Sequence, residues 1–443
     1  MLSIRVNTCI VGGGPAGLML GLLLAKRGAD VLVLEGHENF EREFRGEVLQ
    51  PSTAHLLDEL GLLEYMLDQP HSLLETGKVR MNGRDIGEFQ FKKIAPEYPY
   101  AIWMPQPIFL AALSRKATPF PSFKCWMGAK VTKLIEDDGR IVGVTGVRHG
   151  SESFEVCADV VVGADGRFST IAKMGGFTPE YEHSDFEIVW FTIEQPHDWD
   201  STFYISLGEV RGLMLPKYPH HIQAGMAMRS GQWQQWRRKG VGWVADRVRR
   251  FDPIFAGFAD RLKDFTPFFP LVGTVRLMKD WARDGLLLIG DAAHTMSPAG
   301  AIGVNVAIAT AAVAAQELYP RLGRGPIAHA DLQRVQQLRE ADVRTLHRMQ
   351  LRAQQVMLSQ DDSRPFVKWL VPKILPLALH SPLMPRIQRR VFFGVPLPPL
   401  DPAFSFREPD ATTGAAVARA ESPRSASRSA AGSPAASTSS GLR

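Results

Sequence analysis

The chain has 443 residues, of which 45% are hydrophobic, 22% charged and 9% aromatic. That length and composition leave room for two or three domains with a large buried core, and exclude a disordered, fibrous or disulfide-stapled small fold. The net charge is +5, but residues 411–443 supply +3 of it, and the remaining body has no block of Lys and Arg interleaved with aromatics, so nucleic acid is not an expected partner.

In chain order, an apolar strand at 5–11 runs into the turn Gly12-x-Gly14-x-x-Gly17. An apolar helical stretch over 18–24 follows, which Arg27-Gly28 ends, and then a second strand at 30–34. Strand, turn, helix and strand within about 30 residues have the size of a parallel βαβ unit. From 75 to 100, short segments broken by Gly and Pro predict antiparallel strands. A helix at 108–116 leads into strands near 124–134 and 142–148, and the β-branched run 158–162 reads as a buried strand. Between about 180 and 271, many short segments with Trp, Tyr and Phe predict a separate sheet. A further buried strand at 286–289 precedes a small-residue helix over 303–318, and 331–360 has the period of an amphipathic helix. Residues 365–402 mix Pro with Leu, Phe, Trp and Arg, and from about 410 the Ala, Ser, Gly and Pro composition predicts disorder.

Two uncharged runs, 10–25 and 299–315, fall short of the ~20 residues needed to cross a bilayer. The glycines of the first suit a phosphate-binding turn better than a secretion signal. Cys9, Cys125 and Cys157 form no CxxC pair and are odd in number, which predicts reduced thiols in a cytoplasmic protein. Neither HExxH nor Cys/His ligand spacing occurs, so no metal site is expected.

Three segments carry chemistry. In the first, Gly12 permits a tight turn, Gly14 lets the backbone approach a pyrophosphate, Gly17 lets helix and strand pack closely, and the helix N-terminus faces the negative charge. Glu35, closing the second strand, is placed to accept from ribose hydroxyls and disfavours a 2′-phosphate. Only one such fingerprint exists, so any nicotinamide cofactor must bind without a dedicated domain. The second segment holds Gly163-Ala164-Asp165-Gly166 and Ser169; the third holds Gly290-Asp291-Ala292-Ala293-His294 and continues through Pro298, Gly300 and Gly303 to Asn305. Each places an acid and a glycine just after a buried strand, where ligands bind in open α/β sheets. Asp291 is suited to accept from a ribitol hydroxyl, and backbone N–H groups over 300–305 to hold a flavin's electron-rich edge.

In this order and spacing the segments resemble the signature set of the single-component FAD-dependent aromatic hydroxylases, the para-hydroxybenzoate hydroxylase superfamily, over about residues 7–318. The resemblance implies an α/β fold with a discontinuous Rossmann-like FAD-binding domain, 1–74, 101–180 and 272–330. Interleaved with it is an antiparallel β-sheet substrate domain, 75–100 and 181–271, and after it come a helical C-terminal region, 331–409, and a disordered tail, 410–443. It implies cofactor contacts at Gly12, Gly14, Pro15, Ala16, Gly17, Glu35, Gly290, Asp291, Gly303, Val304 and Asn305. Arg45, within Phe44-Arg45-Gly46-Glu47, resembles the arginine that contacts the FAD diphosphate region and helps nicotinamide-nucleotide binding; a solvated loop cation is the competing reading. Gln106 resembles the glutamine that opens a helix beside the flavin, and Asp165 the acid serving both FAD and NAD(P)H.

The implied activity is that of a monooxygenase. NADPH or NADH reduces FAD, O2 adds to give a flavin C4a-hydroperoxide, and one oxygen atom hydroxylates or epoxidises an aromatic, polyketide-like or quinone-like small molecule. A same-fold oxidase, reductase or halogenase, or a non-catalytic flavin-binding protein, is the alternative; the Trp-x-Trp-x-Ile-Pro stretch of halogenases is absent, Trp233 and Trp236 being spaced differently. Two residues are catalytic candidates. His294 titrates near neutrality but also reads as a motif histidine hydrogen-bonded near the cofactor phosphates, and Pro298 rigidifies the loop over the flavin. The chain departs from the family's pattern at Ala172, where arginine is usual, at Ala301-Ile302-Gly303, and at Thr310, where aspartate is common. Trp190, Phe191, Tyr204, Met214 and Met226 read as core before pocket, and no cationic anchor for a carboxylate stands out, which favours a substrate larger and less polar than a benzoate. Residues 366–399, with Trp369, Phe392, Phe393, Arg386, Arg389 and Arg390, are compatible with weak contact at an anionic membrane surface; a subdomain packed on the body is the stronger reading.

Overall fold

A computed structural model describes residues 2–41, 48–81, 84–197, 199, 202–298, 300–358, 381, 388–389 and 397–407. Arg45, the tail 410–443 and nearly all of 366–399 lie outside the described residues.

The first sheet grows from the N-terminal βαβ unit. Leu2–Val11 pairs in parallel with Val31–Leu34, and that strand with Phe123–Trp126. On its other side Leu2–Val11 pairs in parallel with Glu152–Gly163, which pairs with Leu286–Leu288. Every residue of Val31–Leu34 and Leu286–Leu288 is buried, as strands covered on both faces require. Ala129–Asp137 and Arg140–Arg148 form an antiparallel extension, so the strand expected at 124–134 is divided by a turn at Gly128. The helix Pro15–Lys26 buries Ala16 through Ala25 against this sheet and against the helix Gly303–Leu318. The close approach of the helix Pro15–Lys26 to the strand Leu2–Val11 depends on Gly17, where a Cβ would stand 2.0 Å from the Gly12 carbonyl oxygen.

The second sheet has eight strands, in the order His294–Thr295, Phe269–Met278, Pro179–Glu194, His221–Arg229, Arg211–Lys217, Thr202–Leu207, Thr76–Met81 and Arg84–Gln90. It departs from the expected antiparallel sheet at one pair: Thr76–Met81 runs parallel to Thr202–Leu207. The chain between those two strands passes through the first sheet, and a long crossover frees them from the reversal that a hairpin imposes. Phe269–Met278 continues beyond 271 and pairs with His294–Thr295, so the third signature segment leaves the first sheet and joins the second. A small third sheet, Val48–Leu49, Ala101–Trp103 and Ser72–Leu74, carries Trp103.

The helix expected over 331–360 is His329–Leu358. Its buried Leu332, Val335, Val343 and Leu346 recur at helical spacing, and Val343 and Leu346 join the core cluster of the first sheet. Among the described residues no helix is long and apolar enough to cross a membrane.

Candidate active site

The topology brings the three signature segments side by side. Leu2–Val11, Glu152–Gly163 and Leu286–Leu288 are neighbouring strands, and the turns beginning at Gly12, Ala164 and Ile289 leave their carboxyl ends together. These turns border a cavity of about 430 Å³. Gly12, Gly14, Glu35, Asp165, Gly290 and Asp291 line it from the turns after the first sheet's strands; Trp103, Trp190, Leu213, Leu215 and Leu271 line it from the other two sheets, and Met296 and Pro298 also face it.

The glycine- and acid-bearing turns fit a dinucleotide. The helix Pro15–Lys26 has Gly14 at its N-cap, no side-chain cap and Pro15 at its start, so its first-turn N–H groups remain for an external anion. A Cβ on Gly14 would meet nothing within 4 Å, so the turn opens onto the cavity rather than onto protein. The helix Gly303–Leu318 likewise begins without a side-chain cap, with Gly303 and Val304 at the cavity wall.

Glu35 lines the cavity, yet its carboxylate first holds the turn. Oε2 accepts from the Gly13 N–H at 2.7 Å, and Oε1 from the His37 N–H at 2.9 Å, with the His37 ring Nδ1 at 2.6 Å. Asp165 caps the helix Thr170–Met174, accepting from Ser169 Oγ at 2.5 Å and from the N–H groups of Thr170 and Ile171 at 2.6 and 3.1 Å. Burial pushes the Asp165 carboxyl up, against the opposing pull of these donors. Ala172, on that helix, is buried in the core of the first sheet. Asp291 faces the cavity and pairs with Arg167, whose Nε lies 3.3 Å from Oδ2; Arg167 also lines the cavity. Gln106 opens the helix Gln106–Ala117 and is 8% exposed at the cavity wall.

Asn305 turns inward. Its Oδ1 accepts from the Gln50 N–H at 2.8 Å and from Thr53 Oγ1 at 2.6 Å, while Nδ2 donates to the carbonyls of Val48 at 3.0 Å and Ala301 at 2.8 Å. Gln50 completes the tie by donating from Nε2 to the Gly300 carbonyl at 2.8 Å. The side chain thus binds the small sheet to the loop that starts the helix Gly303–Leu318. Asn305→Ala leaves several buried backbone groups unpaired and should cost about 2–4 kcal/mol. Thermal unfolding of the protein without added cofactor checks this, and an unchanged midpoint would refute it.

His294 is the principal correction. It is absent from the cavity lining and 1% exposed, with Nε2 3.0 Å from Thr310 Oγ1 and its ring 4.9 Å from that of Trp281. Burial, with the nearby His347 and Arg339, drives its pKa down to about 3. The structure thus places this imidazole in the core and not at the cavity wall. Thr310, where the family commonly has aspartate, is its partner. Pro298 does face the cavity, whereas Gly17 acts through packing. The sequence reading missed Trp103, Gln50 and Ser297, because nothing in their local patterns distinguishes them from core residues. Among the described residues no group of three or more His, Cys, Asp and Glu is arranged to hold a metal.

A family profile described as "FAD binding domain" matches residues 5–326. The chain is 32% identical over 398 residues to 6-methylpretetramide 4-monooxygenase of Streptomyces rimosus, covering 88% of this chain and 93% of that protein. It is 28% identical to 12-dehydrotetracycline 5-monooxygenase/anhydrotetracycline 6-monooxygenase of Streptomyces rimosus subsp. rimosus, over 68% of this chain and 60% of that one. Among solved structures, p-nitrophenol 4-monooxygenase PnpA of Pseudomonas putida DLL-E4 superposes with a TM-score of 0.75 at 20% identity, covering 90% of this chain and all of that one, a likeness of fold.

Proposed function

Because the chain belongs to the FAD-binding family of aromatic-ring monooxygenases and is an FAD- and NAD(P)H-dependent oxidoreductase, we propose that it inserts one oxygen atom from O2 into a large, planar, weakly polar ring system of polyketide type. The observation that carries this reading is that one cavity is lined both by the three glycine- and acid-bearing turns and by Trp103, Trp190, Leu213, Leu215 and Leu271. Such an apolar lining buries ring faces through dispersion and apolar contact and fixes orientation with few polar groups. The names of the two Streptomyces relatives support the same substrate size.

Bound FAD supplies the electron transfer from NAD(P)H and the activation of oxygen. The chain's residues bind, orient and shield. In this reading the first-turn N–H groups after Gly14 hold the diphosphate, Glu35 and Asp291 accept from ribose and ribitol hydroxyls, Gln106 contacts the flavin, and the N–H groups at Gly303 and Val304 meet the ring's electron-rich edge. Met296 and Pro298 close the cavity beside that edge, which keeps water from diverting the reduced cofactor to peroxide. The division into FAD-binding, substrate and C-terminal parts belongs to the same proposal. So does a cytoplasmic location, where NAD(P)H is supplied and Cys9, Cys125 and Cys157 stay free.

Steady-state oxidation of NADPH and NADH by the FAD-loaded protein, with anhydrotetracycline or para-hydroxybenzoate as probe, tests the proposal. We expect anhydrotetracycline to raise cofactor oxidation at least tenfold and to gain one atom of label from 18O2. Stimulation by para-hydroxybenzoate alone would overturn the substrate assignment. Peroxide formation without label transfer to either probe would favour an oxidase.

A further inference from the structure

The long helix His329–Leu358 carries three buried glutamines, Gln336, Gln350 and Gln354. A primary amide taken out of water must find partners for both its N–H2 and its C=O, so each marks a deliberate attachment. Gln336 accepts from the Trp281 N–H at 2.9 Å and donates to the Lys279 carbonyl at 3.0 Å. Gln350 makes the same two-point pair with one residue, Ser297, accepting from its N–H at 3.1 Å and donating to its carbonyl at 2.8 Å. Gln354, one turn on, donates to Ser297 Oγ at 2.5 Å.

Ser297 is therefore held at its backbone N–H, its carbonyl and its hydroxyl by two side chains from a helix more than 50 positions away. It is 1% exposed and lines the cavity together with the next residue, Pro298. The loop also lies directly on the strand Phe269–Met278: a Cβ on Gly273 would come within 3.1 Å of both Pro298 Cδ and Ser297 Oγ. Strand and glutamines thus both contact the loop, and neither belongs to the signature segments.

We propose that Gln350 and Gln354 are positioning residues that fix the Ser297–Pro298 wall of the cofactor cavity. They thereby set FAD affinity and the fraction of reduced cofactor lost by the net reaction NAD(P)H + O2 + H+ → NAD(P)+ + H2O2. The inference rests on FAD occupying the cavity. Loss of the clamp leaves the Ser297 N–H and carbonyl without their helix partners, and the loop relaxes to find others, which changes the cavity wall.

The test compares Gln350→Leu and Gln354→Leu with Gln336→Leu, which removes an equivalent clamp from backbone that does not line the cavity. FAD dissociation constants come from quenching of flavin fluorescence on titration with each apoprotein. Melting temperature, the visible spectrum of the bound flavin and peroxide released per NADPH without organic substrate complete the set. All three variants should melt lower. Only Gln350→Leu and Gln354→Leu should weaken FAD by about tenfold or more, perturb its spectrum and raise peroxide release. Wild-type affinity and spectrum in both, or an equal change in Gln336→Leu, would overturn the proposal. Gln354→Leu, which removes one hydrogen bond, keeps the comparison available if Gln350→Leu does not fold. Wild-type protein that fails to quench flavin would overturn the cofactor assignment itself, and the proposal with it.

Discussion

Gly14→Leu should abolish FAD binding while leaving the fold intact. Gly14 sits at φ −80° and ψ −176°, extended backbone that any residue adopts, and a Cβ there meets nothing within 4 Å. The added side chain therefore enters the cradle and not the core, so we expect a melting temperature within about 2 °C of wild type. It would occupy the space over the uncapped helix start, where a diphosphate must come close, and weaken FAD at least about a hundredfold, or ~2.7 kcal/mol. Gly17→Ala should do the reverse and damage folding first, since its Cβ would overlap the Gly12 carbonyl oxygen at 2.0 Å. Calorimetry and flavin titration on the two variants separate the cases. A Gly14→Leu protein that still binds FAD tightly would mean that the diphosphate does not lie at this turn.

The second large effect is acid lability. His294 has its pKa lowered to about 3 and His347 to about 4, in both cases chiefly by burial. Each is nearly free to take up a proton near pH 6.5 once unfolded. The unfolded chain then binds more protons than the folded one between the two values, so stability is full above about pH 6.5 and falls as the pH drops toward 3–4. Going from pH 7 to 5 should cost about 2 kcal/mol for each histidine, about 4 kcal/mol together, a large part of a typical folding free energy. For each, a backbone hydrogen bond opposes the shift without reversing it; His294 meets Thr310 with Arg339 nearby, and the charge of Asp342 is directed to Arg339 at 2.7 Å. His347 Nδ1 shares its hydrogen bond with Tyr181 at 2.9 Å. Urea unfolding at pH 7 and pH 5 measures the loss, and His294→Leu should remove about half of the difference. An equal difference in that variant would show that other groups carry the effect.

How much of this was legible in the sequence follows from the kind of constraint each residue obeys. Gly12, Gly14 and Gly17 answer to backbone geometry within a few residues, so their spacing alone announced a turn, an opening and a close approach. The buried strands declared themselves by unbroken apolar runs, and the helix Gly303–Leu318 by its small residues. Side-chain aim was not legible. Asn305 belongs to a cofactor motif, yet it spends its amide on Val48, Gln50, Thr53 and Ala301, and the first three of those partners arrive from a segment about 250 positions away. His294 belongs to the third segment along the chain, but its ring is buried against Trp281 and Thr310 and is absent from the cavity lining. The parallel pairing of Thr76–Met81 with Thr202–Leu207 depends on chain routing, which local composition does not encode. The glutamines on the long helix gave no signal, since helix period marks a buried position without saying what it holds.

The strand order of the first sheet also bears on how the protein comes off the ribosome. Its three cofactor turns follow strands ending at Val11, Gly163 and Leu288. At about 5–20 residues per second, tens of seconds separate synthesis of the first from that of the last. From the synthesis of Gly163 until that of Leu288, Glu152–Gly163 has an open edge where Leu286–Leu288 will dock, and apolar backbone there is competent to pair with another chain. The three turns come together only when the third strand arrives, so in the proposed reading FAD capture follows synthesis of Leu288. Expression yield should therefore depend on slow elongation or dilute nascent chains more than on flavin supply during translation.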